Sequence, residues 1–184
     1  MELEEQRQLV EKAKNDMLAF GELYEQYYSP ILGYILRRTG RWEIAQDITS
    51  EVFYKALNNL HQFRWRDVPF SSWLYRIAGN EVVNYFRNNH NHSSLDNISD
   101  SISDPDSTVE NEIIEAEAEI KRHEDYLALH ESISKLPAKY QEVITLRYFE
   151  HKQLREISLI MGKREGTIKS LLHRGIERLR VIMK

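Results

Sequence analysis

The chain has 184 residues and contains no cysteine. This absence excludes disulfides, thiolate nucleophiles and cysteine-ligated zinc, and it is typical of a reducing compartment. No apolar run approaches the roughly 18 residues that a membrane-spanning helix needs. The amino-terminal residues are charged and lack the apolar core of a secretory signal. We therefore expect a cytoplasmic protein with no membrane insertion.

Sequence motifs of common enzymes are also missing. There is no phosphate-cradling glycine loop, no HExxH and no nucleophile elbow. Asp47 and Glu51 lie four residues apart, but no partner motif accompanies them. His90 and His92 stand among asparagines, which is a poor setting for a metal site. We predict a protein that is not an enzyme and holds neither metal nor cofactor.

Charge is distributed unevenly along the chain. The net charge is −4, yet residues 91–120 hold nine acidic residues and no Lys or Arg. Residues 151–184 hold nine Lys or Arg against three acids. A basic segment within an acidic protein is typical of a surface that faces phosphates.

Apolar residues recur at helical spacing through most of the chain, and no strand pattern of any length appears. We predict an all-α fold of two small helical domains, residues 1–90 and 126–184, joined by a flexible acidic linker at 91–125. Within the first domain, helices are expected over 2–14, 16–38 and 42–59, with a break or kink near Ser29–Pro30. A further helix should follow Ser71 or Ser72, either of which is a good capping residue.

The segment 60–70 has no helical period and sets Phe63, Trp65 and Phe70 beside Arg64 and Arg66. Single-stranded nucleic acid needs aromatic faces for its bases and cations for its phosphates, and stacking contributes ~1–3 kcal/mol per base. The alternative is that these aromatic rings belong to the core of a folded-back loop.

Residues 153–180 predict two helices with a tight turn at Gly162, which is the signature of a helix-turn-helix. The second helix, from about Glu165, has an apolar stripe that includes Ile168, Leu171 and Leu172. Its opposite face carries short polar and basic residues, and such a helix can enter the major groove. The pattern alone is equally typical of a surface helix pair, but the local positive charge favours DNA binding.

Three stretches in order resemble the extracytoplasmic-function sigma factors of bacterial RNA polymerase. They are AQDITSEVFYKAL at 45–57, FSSWLYRIAGN at 70–80, and LPAKYQEVITLRYFE with EISLIMGKREGTIKSLLHRGIERLR at 136–150 and 156–180. The resemblance implies a protein that binds core polymerase through the coiled coil of the largest subunit and the flap of the second-largest subunit, and that reads promoter DNA at two places. The family usually has an anti-sigma partner as well.

The resemblance also implies roles for individual residues. Docking on the polymerase coiled coil is implied for Asp47, Glu51, Phe53 and Tyr54. Capture and recognition of the -10 element are implied for Phe63, Arg64, Trp65, Arg66, Arg76, Asn80, Asn84 and Arg87. Reading of the -35 element is implied for Lys163, Arg164, Thr167, Lys169, Ser170, His173 and Arg174.

The main alternative is a helix-turn-helix regulator that binds DNA without polymerase. The block 45–87 discriminates between the two, because such a regulator needs neither the acidic docking helix nor the aromatic loop.

Overall fold

The computed structural model describes residues 3–65, 69–89, 129 and 131–183. Every regular element within these ranges is helical, so the predicted all-α fold is confirmed. The amino-terminal half contains α1 (Leu3–Ala13), α2 (Met17–Thr39), α3 (Trp42–Asn59), a 3-10 turn (Leu60–Gln62) and α4 (Phe70–Asn89). The carboxy-terminal half contains α5 (Ala138–Ile144), which continues as a π-helical turn (Thr145–Phe149), then α6 (Leu154–Met161) and α7 (Glu165–Ile182). The predicted acidic linker at 91–125 lies outside the described residues.

Helix α2 forms the centre of the amino-terminal half. Asp16 caps its start by accepting a hydrogen bond of 2.9 Å from the backbone N–H of Leu18. The helix passes through Pro30 as one element, so the predicted break there is wrong. It ends at Gly40, whose φ of 66° suits a residue without a side chain. Helices α1, α3 and α4 all pack against it.

Helix α4 begins before Ser71 and Ser72, the two predicted caps, and a residue of another helix stabilises its start. Ser71 and Ser72 lie inside its first turn and are buried, so neither is the cap. The backbone N–H of Phe70 instead donates to Oε1 of Gln6, 64 residues earlier, at 2.8 Å. The side chain of Gln6 also donates to the hydroxyl of Tyr27. One buried amide therefore joins α1, α2 and α4.

The carboxy-terminal half has the predicted helix–turn–helix. Helix α6 ends at Gly162, which has a φ of 62°, and α7 starts three residues later. Ile157 and Ile160 of α6 pack with Ile168 and Leu171 of α7 in a common core. A capping contact that the sequence analysis did not predict stabilises the start of α6, where the backbone N–H of Gln153 donates to Glu156 at 2.9 Å.

The two halves contact each other directly. Helix α6 packs on α4, and the π-helical turn packs on α2. Among the residues that the structure describes, no helix has the length and apolar character needed to cross a membrane.

Candidate nucleic-acid interface

Helix α7 presents one polar face to solvent. Ile168, Leu171 and Leu172 are buried on the opposite side against α5 and α6. All seven residues predicted to read the -35 element are exposed, and the structure brings them together on α7 and on the turn before it: Lys163, Arg164, Thr167, Lys169, Ser170, His173 and Arg174. A helix that is held in place by its buried apolar side and exposes such residues has the shape and the hydrogen-bond donors needed to enter a major groove.

One member of this face has a local partner. Nδ1 of His173 lies 3.3 Å from Oε2 of Glu177, one turn further along α7. Both side chains are well exposed, so the pair contributes little to stability.

The loop before α4 is folded back on the core. Phe63 is buried and packs edge-on against Phe70, with ring centroids 5.4 Å apart. Trp65 lies edge-on to Phe63 at 6.2 Å and is half-buried. Of the aromatic rings predicted to meet a base, Phe63 is therefore buried in the core, and Trp65 stays partly exposed. Arg66 lies outside the described residues.

A cavity of about 250 Å³ adjoins this loop. It is lined by Phe63, Arg64, Ser72, Trp73 and Arg76, together with Gln62 and Leu159. The two arginines place positive charge at its rim, and the two aromatic rings form an apolar wall. This combination is suited to an unstacked base and its phosphate.

The predicted -10 residues of α4 form a row that continues from the cavity. Arg76 and Asn80 are exposed, and Asn84 accepts a hydrogen bond of 3.0 Å from the guanidinium of Arg87. The spacing of four, four and three residues keeps these side chains on one side of the helix. The row and the cavity together form a continuous polar and basic track.

Of the four residues of α3 that are predicted to dock on polymerase, three are exposed. Asp47, Glu51 and Tyr54 are exposed at spacings of four and three residues. Phe53 is buried and packs edge-on against Tyr24 at 4.8 Å, so it supports the surface instead of forming it.

The acidic side of α3, formed by Asp47 and Glu51, is partly neutralised by a lysine of the same helix. Lys55 Nζ lies 3.1 Å from Glu51 and 2.7 Å from Glu81 of α4. The hydrogen bond to Glu81 raises the pKa of Lys55 and ties α3 to α4. Of the two acidic residues predicted to dock on polymerase, Asp47 therefore carries the less compensated charge.

Comparison with known proteins identifies both halves. Residues 23–92 match the family described as sigma-70 region 2, and residues 126–179 match sigma-70 region 4. The ECF RNA polymerase sigma factor SigW of Bacillus subtilis is 31% identical over 196 residues, covering 98% of this chain and 97% of SigW. The chain belongs to the extracytoplasmic-function sigma factors.

Other members of the family show a similar level of identity. The RNA polymerase sigma factor YlaC of B. subtilis is 31% identical over 153 residues, which cover 83% of this chain and 85% of YlaC. The ECF RNA polymerase sigma factor BldN of Streptomyces coelicolor is 31% identical over 180 residues, and this chain spans 63% of BldN's length.

Solved structures share the fold. CnrH, solved in complex with the cytosolic domain of CnrY, superposes with a TM-score of 0.68 at 20% identity and covers 97% of this chain and 96% of CnrH. The sigma factor RpoE from Bartonella quintana, solved with the anti-sigma factor NepR, gives a TM-score of 0.67 at 17% identity over 89% of this sigma factor and 96% of RpoE.

Several residues at the centre of the structure carried no signal in the sequence. Gln6, Tyr75 and Glu150 each bond to a residue far away in the chain. Arg37 and Arg38 lie in the last turn of α2, where basic residues are common. In the structure Arg38 is buried and donates to the hydroxyl of Tyr34 at 2.7 Å.

Proposed function

We propose that this sigma factor directs core RNA polymerase to specific promoters by reading the -35 duplex with α7 and by capturing unpaired -10 bases beside α4. The observation that supports this most is the presence of two different exposed surfaces on one chain. A helix with a polar and basic exposed face lies in the region 4 half, and a cavity with aromatic and basic lining residues lies mainly in the region 2 half. Promoter opening needs the second surface, because unstacking a base costs a few kcal/mol that a pocket must offset.

The two halves are proposed to have different roles. Residues 1–90 would dock on the coiled coil of the largest polymerase subunit through Asp47, Glu51 and Tyr54, with Phe53 behind them. Residues 126–184 would contact the flap of the second-largest subunit and the -35 element. The acidic segment 91–125 would join them and avoid DNA through charge repulsion. On this proposal the chain acts by binding and not by catalysis.

We also propose an anti-sigma factor as a partner. Two solved proteins with this fold are each held in a complex, CnrH with the cytosolic domain of CnrY and RpoE with the anti-sigma factor NepR. A protein that competes with core polymerase for the exposed Asp47 and Tyr54 would silence this chain.

The test is in vitro transcription with bacterial core polymerase on a library of random promoter sequences. Adding the protein should yield transcripts whose promoters share one -10 and one -35 motif. The Asp47→Arg protein serves as a control that should yield none. If the protein instead binds specific duplex DNA alone and leaves core polymerase unaffected, it is a helix-turn-helix regulator and the proposal fails.

A further inference from the structure

A buried glutamine of α1 holds the start of α4. Oε1 of Gln6 accepts a hydrogen bond of 2.8 Å from the backbone N–H of Phe70, and the amide nitrogen of Gln6 donates to the hydroxyl of Tyr27 on α2. Only 7% of Gln6 is exposed. Because a backbone N–H can only donate, the contact with Phe70 determines which end of the amide faces Tyr27. Gln6 therefore has one defined orientation.

The backbone N–H of Phe70 depends on this contact. Phe70 is the first residue of α4, and the N–H groups in the first turn of a helix have no acceptor within the helix. Phe70 is only 1% exposed, so bulk water does not replace Gln6 as the acceptor. A buried N–H without an acceptor is unfavourable, because its hydrogen bond to water is lost as well. Without Gln6, the start of α4 would have to shift until this N–H found another acceptor.

Phe70 also supports the wall of the cavity beside α4. The centroid of its ring lies 5.7 Å from that of Tyr27 and 5.4 Å from those of Phe63 and Trp73. Phe63 and Trp73 line the cavity of about 250 Å³ that is proposed to receive a base. The same two rings line a neighbouring cavity of about 420 Å³ together with Asn80. A shift of Phe70 would therefore change the shape of both cavities.

The other end of the loop between α3 and α4 is held by the core. Leu60 is 1% exposed, and its carbonyl accepts a hydrogen bond of 3.0 Å from the backbone N–H of Phe63. Arg64 and Trp65, both proposed to meet DNA, follow directly in the chain. The loop that carries them is thus attached at Phe63 on one side and at Phe70 on the other. Gln6 supplies the second attachment from outside the loop.

Gln6 also lies outside the part of the chain that matches region 2. That match begins at residue 23, whereas α1 ends at Ala13. Helix α1 packs on α2 and α4 and contributes Val10 and Ala13 to the core. Gln6 connects this helix, through Phe70, with the wall of the cavity.

We propose that Gln6 is a positioning residue for base capture, which acts through Phe70 without touching DNA. The proposal rests on the proposed capture of unpaired -10 bases beside α4. A pocket offsets the cost of unstacking a base only if its walls are held in place. A glutamine that merely stabilised the fold would affect polymerase docking, closed-complex formation and opening together. A positioning residue for the cavity affects the opening step alone.

The test compares two substitutions of glutamine by methionine on α1. Gln6→Met keeps an unbranched side chain of similar length and removes both hydrogen bonds, and Gln8→Met makes the same change at an exposed position. Each protein is assembled with core polymerase on a promoter selected by the native protein, and a fluorescent base near the start site reports opening. Gln6→Met should open the promoter about tenfold more slowly, as expected for the loss of a buried hydrogen bond. Its affinities for core polymerase and for the closed promoter complex should equal those of the native protein, and Gln8→Met should equal it in all three measurements.

Tyr27→Phe tests the same contact without changing Gln6. It removes the hydroxyl that meets the amide and keeps the ring against Phe70, so opening should slow about threefold. The double variant Gln6→Met with Tyr27→Phe should open no more slowly than Gln6→Met alone, because the bond between the two side chains is already absent. Additive losses would overturn positioning through the shared amide. If Gln6→Met loses helical content by circular dichroism, Tyr27→Phe decides, and a native opening rate in that variant would overturn the proposal.

Amide hydrogen exchange of the free chain needs neither DNA nor polymerase. Exchange at the N–H of Phe70 should be about tenfold faster in Gln6→Met than in the native protein and unchanged in Gln8→Met. Unchanged exchange in Gln6→Met would overturn the proposal. So would a native opening rate in that variant, or a loss of core binding as large as the loss of opening.

The proposed function fails in a different way. A native protein that directs no promoter-specific transcription would overturn it, and the role of Gln6 in base capture would fall with it. Native transcription together with unaffected opening in the Gln6 and Tyr27 variants would overturn the role of Gln6 alone.

Discussion

The hydroxyl of Tyr75 donates a hydrogen bond of 2.6 Å to the carboxylate of Glu150, which lies 75 residues further along the chain. Burial raises the pKa of Tyr75, so the hydroxyl keeps its proton, and the bond persists, across the neutral and mildly alkaline range. The same tyrosine packs edge-on against Tyr34, with ring centroids 5.1 Å apart. One side chain therefore serves both the core of the amino-terminal half and its contact with the other half.

Tyr75→Phe should weaken the contact between the two halves while preserving the packing of the ring. A hydrogen bond to a charged group contributes about 1.5–3 kcal/mol, so the ratio of docked to undocked molecules should fall about tenfold or more. Energy transfer between dyes attached to Gln26→Cys on α2 and Arg180→Cys on α7, both exposed positions, checks this, and the effect should be the same at pH 6 and pH 9. Transfer equal to that of the native protein would show that the hydroxyl is dispensable.

Gly79→Ala should weaken the contact between the two halves, although alanine favours the helical conformation of α4. Alanine within a helix is ~1 kcal/mol better than glycine, so α4 itself gains stability. Its Cβ, however, displaces Glu142, and transfer between the halves should fall. Gly21→Ala is the matched control, because it lies inside α2 with open space around the added atom. A Gly79→Ala protein that remains closed would show that α5 adjusts without undocking.

Asp47→Arg should abolish binding to core polymerase. The charge of Asp47 is exposed, and among the described residues no lysine bridges to it as Lys55 does to Glu51, so reversal should repel a basic partner. A pull-down with purified core polymerase measures the loss. Glu11→Arg on α1 makes the same charge change elsewhere and should bind normally. Retained binding by the Asp47→Arg protein would remove α3 from the docking surface.

Trp65→Ala should slow promoter opening and leave the affinity of the closed promoter complex nearly unchanged. Trp65 contacts Phe63 and stays partly exposed, and stacking on one base contributes ~1–3 kcal/mol. A fluorescent base near the start site reports opening. Trp42→Ala, at a half-exposed position on α3, is the control. Equal opening rates in all three proteins would make Trp65 purely structural.

Arg174→Ala should reduce discrimination at the -35 element by ~1–3 kcal/mol if its guanidinium meets a base edge. Binding to a set of -35 variants, compared at one salt concentration, measures this. Arg180→Ala removes the same charge from an exposed position later in α7 and should not alter sequence preference. A uniform loss of affinity across all sequences would mean that Arg174 contacts phosphate alone.

Local patterns predicted the helices well because local chemistry determines them. The turn at Gly162 and the end of α2 at Gly40 both need a positive φ, which glycine supplies, and the apolar stripe of α7 faces inward as its spacing requires. The predicted break at Pro30 failed because one missing N–H does not outweigh the packing of α2 along its whole length. The start of α4 was misplaced because Gln6, a residue of another helix, supplies the acceptor.

Sequence patterns also predicted one part of the candidate site and missed another. The exposed face of α7 followed from periodicity alone. The burial of Phe53 and Phe63 did not, because an aromatic residue beside polar neighbours gives no sign of which ring a fold will cover. Contacts between the two halves could not be predicted from the sequence, for a further reason. Arg37, Tyr75 and Glu150 are each unremarkable where they stand in the sequence, and only the tertiary arrangement joins them.

The contact between the two halves joins two parts of one chain, so its strength depends on the covalent connection as much as on its bonds. A tethered partner competes at an effective concentration that can reach the millimolar range for a short connection. A weak set of polar contacts is then sufficient to exclude a dilute ligand. Cutting the backbone anywhere between Asn89 and Glu131 would remove that advantage. The amino-terminal fragment would then bind its ligands without intramolecular competition, even with every contact residue intact.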